Sequence, residues 1–119
     1  LRAATAGGYL HGYRWCFGEN DLALAVATLG PVIIGVKWWT GMFAPDPSNR
    51  LHRTGRVEGG HCALITAISV ADSYYTLHNS WGPTWGRRGN AYITRRDMAA
   101  LLADDGEAAI TTAPALPAS

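Results

Sequence analysis

The sequence predicts an α+β domain, an antiparallel β-sheet accompanied by a few short helices. Three stretches predict it: a capped apolar helix pattern near residue 20, a β-branched run at 32–39, and two apolar runs at 61–79 joined by a tight polar turn. A chain of 119 residues has room for one domain with one modest core.

Residues 1–19 are rich in Gly and aromatic residues without a period, and read as an irregular lead-in. Asn20 and Asp21 are good N-caps. Leu22, Leu24, Ala25, Val26 and Leu29 then form one apolar face before Gly30 and Pro31, which predicts a helix over about 20–29. Val32–Trp39 is apolar on both faces and reads as a buried central strand. From Phe43 to Gly60 the composition turns to Pro, Asp, Ser, Asn, Arg and Gly, a surface loop with a short strand at 54–58. His61–Val70 and Tyr74–Asn79 make a hairpin about the turn Ala71-Asp72-Ser73, and Ala91–Thr94 is a further strand. Asp97–Leu102 reads as a short helix, Glu107–Ile110 as an edge strand, and residues 113–119 as a disordered Pro/Ala tail.

Ten Lys and Arg balance nine Asp and Glu, so charge calls for neither a nucleic-acid nor a membrane partner. The longest apolar run, Pro31–Val36, is far too short to span a bilayer. Two cysteines, Cys16 and Cys62, make no disulfide framework, which inclines the expectation to a soluble, cytoplasmic protein. The start at Leu1 suggests that something upstream has been removed.

The chemistry gathers at His61 and Asn79. Gly59-Gly60 precedes His61 and leaves one flank of the imidazole open, while Asn79 ends the returning strand. Both fall at the same end of the hairpin, where an amide oxygen can accept from the ring and fix its tautomer. They share a face only if the turn holds an odd number of residues or a strand carries a bulge, and a turn of 71–73 meets the first condition. By alternation His78 faces away. Bare polar pairing at a strand end is the competing reading of His61 and Asn79. Beyond them runs HNSWGPTWGRRG, residues 78–89, whose three glycines permit a tight path and whose tryptophans build walls.

The order helix, GPVIIGV, GGHCALITAI and YYTLHNSWGPTWGRRGNAYI resembles the carboxy-terminal half of the papain-like cysteine peptidases over most of residues 20–110. The most specific piece is Asn-Ser-Trp-Gly-x-x-Trp-Gly-x-x-Gly at 79–89. The resemblance implies a sheet curled into a partial barrel over 20–112, His61 as general base, Asn79 as its orienter, and Trp81 as a shield over their hydrogen bond. It implies a peptide or protein substrate and no cofactor. It also implies a partner, because the family's nucleophile lies in a Gln-x-x-x-Cys-x-x-Cys-Trp context that this sequence lacks. An amino-terminal half bearing that Cys and Gln is therefore expected.

The two cysteines are poor substitutes. Cys62 adjoins His61 on a strand, so it points to the other face, and it reads as a small buried hydrophobe. Cys16 precedes a helix, but Glu19 and Asp21 would raise its pKa, and a structural thiol is expected. No metal site is expected, since the His and Cys residues lack zinc spacing. Trp38-Trp39 and Met42-Phe43 could line a substrate pocket but read first as core, Ala44–Gly55 as a rim of the cleft, and Arg87-Arg88 and Arg95-Arg96 as solvated or paired with Asp97, Asp104 or Asp105. A half-enzyme should expose an apolar patch around His61, Trp81 and Trp38. The alternative function is a catalytically inactive peptidase-like module that binds peptide or protein.

Overall fold

The sheet is antiparallel throughout, and its strand order sets the last strand beside the second before it reaches the hairpin. The computed structural model of the protein describes residues 9–10 and 13–111. In chain order these form β1 (Tyr9–Leu10), β2 (Tyr13–Cys16), α1 (Glu19–Thr28), β3 (Val32–Trp39), a 3-10 turn at Thr40–Met42, β4 (Val57–Ser69), β5 (Tyr74–His78), β6 (Asn90–Thr94), α2 (Arg95–Ala103) and β7 (Glu107–Thr111). The seven strands lie in the order β1-β2-β7-β3-β4-β5-β6.

Two expectations fail at that sheet. The lead-in expected to be irregular contains β1 and β2, and Glu107–Ile110, expected at an edge, lies inside the sheet as part of β7, between β2 and β3. The errors share a cause: an edge strand becomes interior only when a partner covers it, and β2 is far away in sequence. The tail at 113–119 lies outside the described residues.

Helix α1 begins one residue early. Gly18 occupies the N-cap with a φ of 95° that favours glycine, and Asp21 folds back to accept from the Phe17 N–H at 2.8 Å instead of capping. At the other end Gly30, φ 120°, and Pro31 stop the helix as read. Helix α2 starts earlier than expected because Thr94, not a residue near Asp97, caps it; its hydroxyl accepts from the Asp97 N–H at 3.1 Å. Among the described residues no helix is long and apolar enough to cross a membrane.

One face of β3 carries Val32, Ile34, Val36 and Trp38, all buried, against Leu22, Ala25 and Val26 of α1 and Met98 and Leu101 of α2. Each such fully buried aliphatic chain contributes roughly 1.5–3 kcal/mol. The core continues through Ile65, Tyr75, Leu77, Ala91 and Ile93 on β4, β5 and β6.

Under α1 a polar group is pinned into this apolar layer. Glu19 takes a two-pronged bond from Arg95, Nε to Oε2 at 2.7 Å and Nη2 to Oε1 at 3.1 Å, and accepts from the Tyr75 hydroxyl. Arg95 thus pairs with Glu19, not with Asp97, Asp104 or Asp105 as expected. Burial alone would raise the Glu19 pKa, but the Arg95 and Tyr75 hydrogen bonds and the Arg95 charge hold it below the ordinary range. A lowered carboxyl pKa stabilises the fold above its unfolded value, and that stability is lost as pH falls through the folded value. Glu19→Gln is therefore expected to cost about 1.5–3 kcal/mol at pH 7, with the deficit shrinking below about pH 4. Urea unfolding at pH 7 and pH 3 checks this; an equal deficit at both would show that the charge does not matter.

Candidate active site

The parity problem at the hairpin is solved by a bulge. The turn holds four residues, Val70–Ser73, closing on the Ser69↔Tyr74 pair, so the expected three-residue turn is wrong. The register is offset between Ile65 and Ala67: Ala67 pairs with Thr76 but Ile65 with Leu77, leaving Thr66 without a partner. Beyond the offset Leu64 pairs with His78, which sets Asn79 level with Ala63. His61, two residues on, then shares the inward face with Asn79.

There the imidazole Nε2 lies 2.5 Å from the Asn79 Oδ1. An amide oxygen only accepts, so Nε2 carries the proton and Nδ1 keeps its lone pair. Asn79 is 1 % exposed, and its other amide atom, Nδ2, is buried without a partner. His78 is exposed on the opposite side and bonds Asn90 Oδ1 through Nδ1 at 3.0 Å.

The tryptophan–glycine loop holds Asn79 and roofs His61. Asn79 N–H donates to Gly89 O at 2.9 Å, Gly89 N–H to Trp85 O at 2.8 Å, and Trp85 Nε1 to Phe43 O at 2.8 Å. Gly86 is required here: its φ is 58°, and a Cβ would fall 2.3 Å from the Asn90 carbonyl oxygen. The Trp81 ring centroid lies 4.6 Å from that of His61, stacks on Phe43 at 5.7 Å and meets Trp85 edge-on at 5.6 Å. Trp38 reaches His61 from β3, also at 4.6 Å and nearly perpendicular.

Two hollows border His61, one on the Trp38 side of β4 and one on the Cys62 side. One, of about 120 Å³, is lined by aromatic Trp38, Phe43 and Trp81 with Glu58, Gly59 and Gly60. The other, about 390 Å³, follows from the register: Gly35 sits between Cys62 on β4 and Glu107 on β7, and its missing side chain leaves a dent that Asp105 closes. This acidic wall escaped the sequence reading, because β7 was expected at an edge. The expected apolar patch is present in altered form: Phe43 (46 %) and Trp81 (40 %) are exposed, but Trp38 is 2 % exposed and belongs to the core.

Neither thiol faces His61. Cys62 lies on the other side of β4 as read, yet it is exposed and not buried as expected. Cys16 is buried, and burial first, then the Asp21 charge, raises its pKa against the lowering effect of Arg14. Both are free. Arg53 lies over the Trp39 ring, 5.0 Å from its centroid.

No protein-family model matches the chain. Among curated proteins it is 34 % identical over 74 residues to cathepsin B-like CP3 of Giardia intestinalis (60 % of this chain, 25 % of that protein). It is 29 % identical over 97 residues to human cathepsin O (77 % and 29 %) and 33 % over 107 residues to mouse cathepsin S (81 % and 28 %). The chain thus spans between about a quarter and three tenths of these relatives' own length. Among solved structures, xylellain, a cysteine protease from Xylella fastidiosa, superposes with a TM-score of 0.68 at 18 % identity over 86 % of this chain and 40 % of that one. Digestive procathepsin L2 from the Tenebrio molitor larval midgut gives 0.58 at 27 % identity over 90 % and 35 %.

Proposed function

We propose that this chain, which resembles the carboxy-terminal portion of the papain-like cysteine peptidases, supplies the His/Asn half of a thiol peptidase whose cysteine and oxyanion-stabilising glutamine come from an amino-terminal portion. The carrying observation is the imidazole held through Nε2 by Asn79, with Nδ1 free to act as a base.

In the completed centre Nδ1 of His61 takes the thiol proton, and the thiolate attacks the scissile carbonyl carbon. As the tetrahedral intermediate collapses, the imidazolium returns that proton to the departing amine and a thioester remains. Nδ1 then deprotonates a water that attacks the thioester, releasing the carboxylic acid and regenerating the thiol. Asn79 holds the ring through both proton transfers, and the indole of Trp81 strengthens their bond by keeping water away. The hollow bounded by Asp105 and Glu107 favours a substrate with a Lys or Arg side chain near the cleaved bond.

A single experiment tests both claims. The natural protein with its upstream portion is treated with a thiol-reactive peptidyl electrophile carrying either Arg or Glu at its side-chain position, and repeated as His61→Ala. Covalent labelling that is faster for the Arg probe and lost in the variant is expected. Equal rates for the two probes would remove the acidic preference. Labelling indifferent to His61→Ala would remove the catalytic role.

The competing reading, an inactive module that binds peptide, draws on the position of the chain's own thiols, one on the far face and one buried. It predicts no labelling of either protein.

A further inference from the structure

We propose that Trp38 is a positioning residue: together with Trp81 it forms an aromatic corner that holds His61 against Asn79 in this chain by itself. The inference rests on the peptidase reading only for its use in catalysis; the holding of the ring stands apart from it.

The corner follows from register. Val36 pairs with His61 and Trp38 with Gly59, so Trp38 is the diagonal neighbour of His61 on the same inward face. Gly59 has no side chain, which leaves the indole free to lean along β4. Trp38 meets the imidazole at 66° and Trp81 meets it at 37°, both with centroids 4.6 Å away. The two indoles are themselves 5.7 Å apart and at 81°. Three centroids with these spacings make an angle of about 77° at His61, so the indoles close two adjacent sides, not opposite ones. Asn79 closes a third direction through Nε2. What remains open is the side a reacting group would approach.

Packing alone does not account for an indole at this position. Trp38 is 2 % exposed, and its Nε1 is buried with no hydrogen-bond partner. A buried donor left unpaired is destabilising, and a phenylalanine would fill much of the same space without that cost. Local rules of stability are broken in this way most often where a site gains from it. The gain here is the reach of the larger ring to the imidazole edge.

The two roles separate in Trp38→Phe, which discards the orphan donor and shortens the ring. The chain itself is treated with diethyl pyrocarbonate at neutral pH, and carbethoxylation of each histidine is followed by peptide mass. His52, bonded to Asp46, and His78, bonded to Asn90, serve as internal references. The expected result is a melting temperature equal to or above that of the parent chain, with His61 reacting roughly two- to tenfold faster relative to both references, the range an aromatic contact sets. Trp38→Ala should raise the ratio further.

An unchanged ratio in both variants would overturn the proposal. So would a ratio that moves only in step with a loss of stability, since that is what a merely structural residue does. The measurement needs no nucleophile. A failed peptidase assay therefore leaves it standing, and a failed ratio leaves the peptidase reading standing.

Discussion

Asn79→Ala is expected to lower kcat by about 10²-fold with little change in KM in the two-part peptidase proposed above, the lower end of what a positioned general base contributes. The reason is geometric. His61 makes one hydrogen bond through Nε2, to an amide that is 1 % exposed, so water cannot step in when that amide is removed without opening the site. The proton on Nε2 loses its acceptor, the other tautomer becomes competitive, and in that tautomer Nδ1 carries the proton and cannot act as a base. The indole corner limits the loss, because the ring is still confined on two sides. His61→Ala removes the base outright and should abolish turnover. Steady-state kinetics with a fluorogenic peptide at pH 7 decides: a kcat within threefold of the parent for Asn79→Ala would mean that the amide does not orient the ring.

Much of this site was legible before coordinates, and the parts that were not have a common cause. Val32–Trp39 was read at its observed bounds, because an unbroken β-branched run between Gly-Pro and Thr-Gly is a local signal. The requirement that a turn or a bulge correct the hairpin's parity was also readable. Which of the two does it was not, since Thr66 sits in a run of ordinary strand formers and nothing in its own chemistry marks it. The sequence places Trp38 both in the core and in an exposed patch; only the first holds, and its contact with His61 depends on the register of β3 against β4. The acidic hollow and the Glu19–Arg95 pair were invisible for the same reason: their members are brought together by pairings between distant strands and helices.

The second large effect concerns that bulge. Deleting Leu64 is expected to destabilise the chain by roughly 3–5 kcal/mol, whereas deleting Thr66 should cost only about 1 kcal/mol. Thr66 is the unpaired residue, so its removal lets Ile65 and Ala67 run on against Leu77 and Thr76 in the pairs they already make. Every inward residue stays inward, and His61 still faces Asn79. Removing Leu64 offers no such repair. Either His61 and Ala63 turn outward, or the strand slides and seats Thr66 where Ile65, fully buried, now lies. Urea midpoints of the two deletions, with the reactivity of His61 alongside, distinguish them. Equal midpoints would show that the offset in register is not what aligns the site.

Strand β7 has hydrogen-bonded neighbours on both sides, β2 from the start of the described chain and β3 from its middle. During synthesis those two strands emerge long before the segment that joins them, and each waits with a bare edge of unpaired amides and carbonyls. Closure must await the emergence of residues 107–111 from the ribosome. Such a long wait, with pairings between distant segments, favours slow maturation and makes the nascent chain a natural client for chaperones.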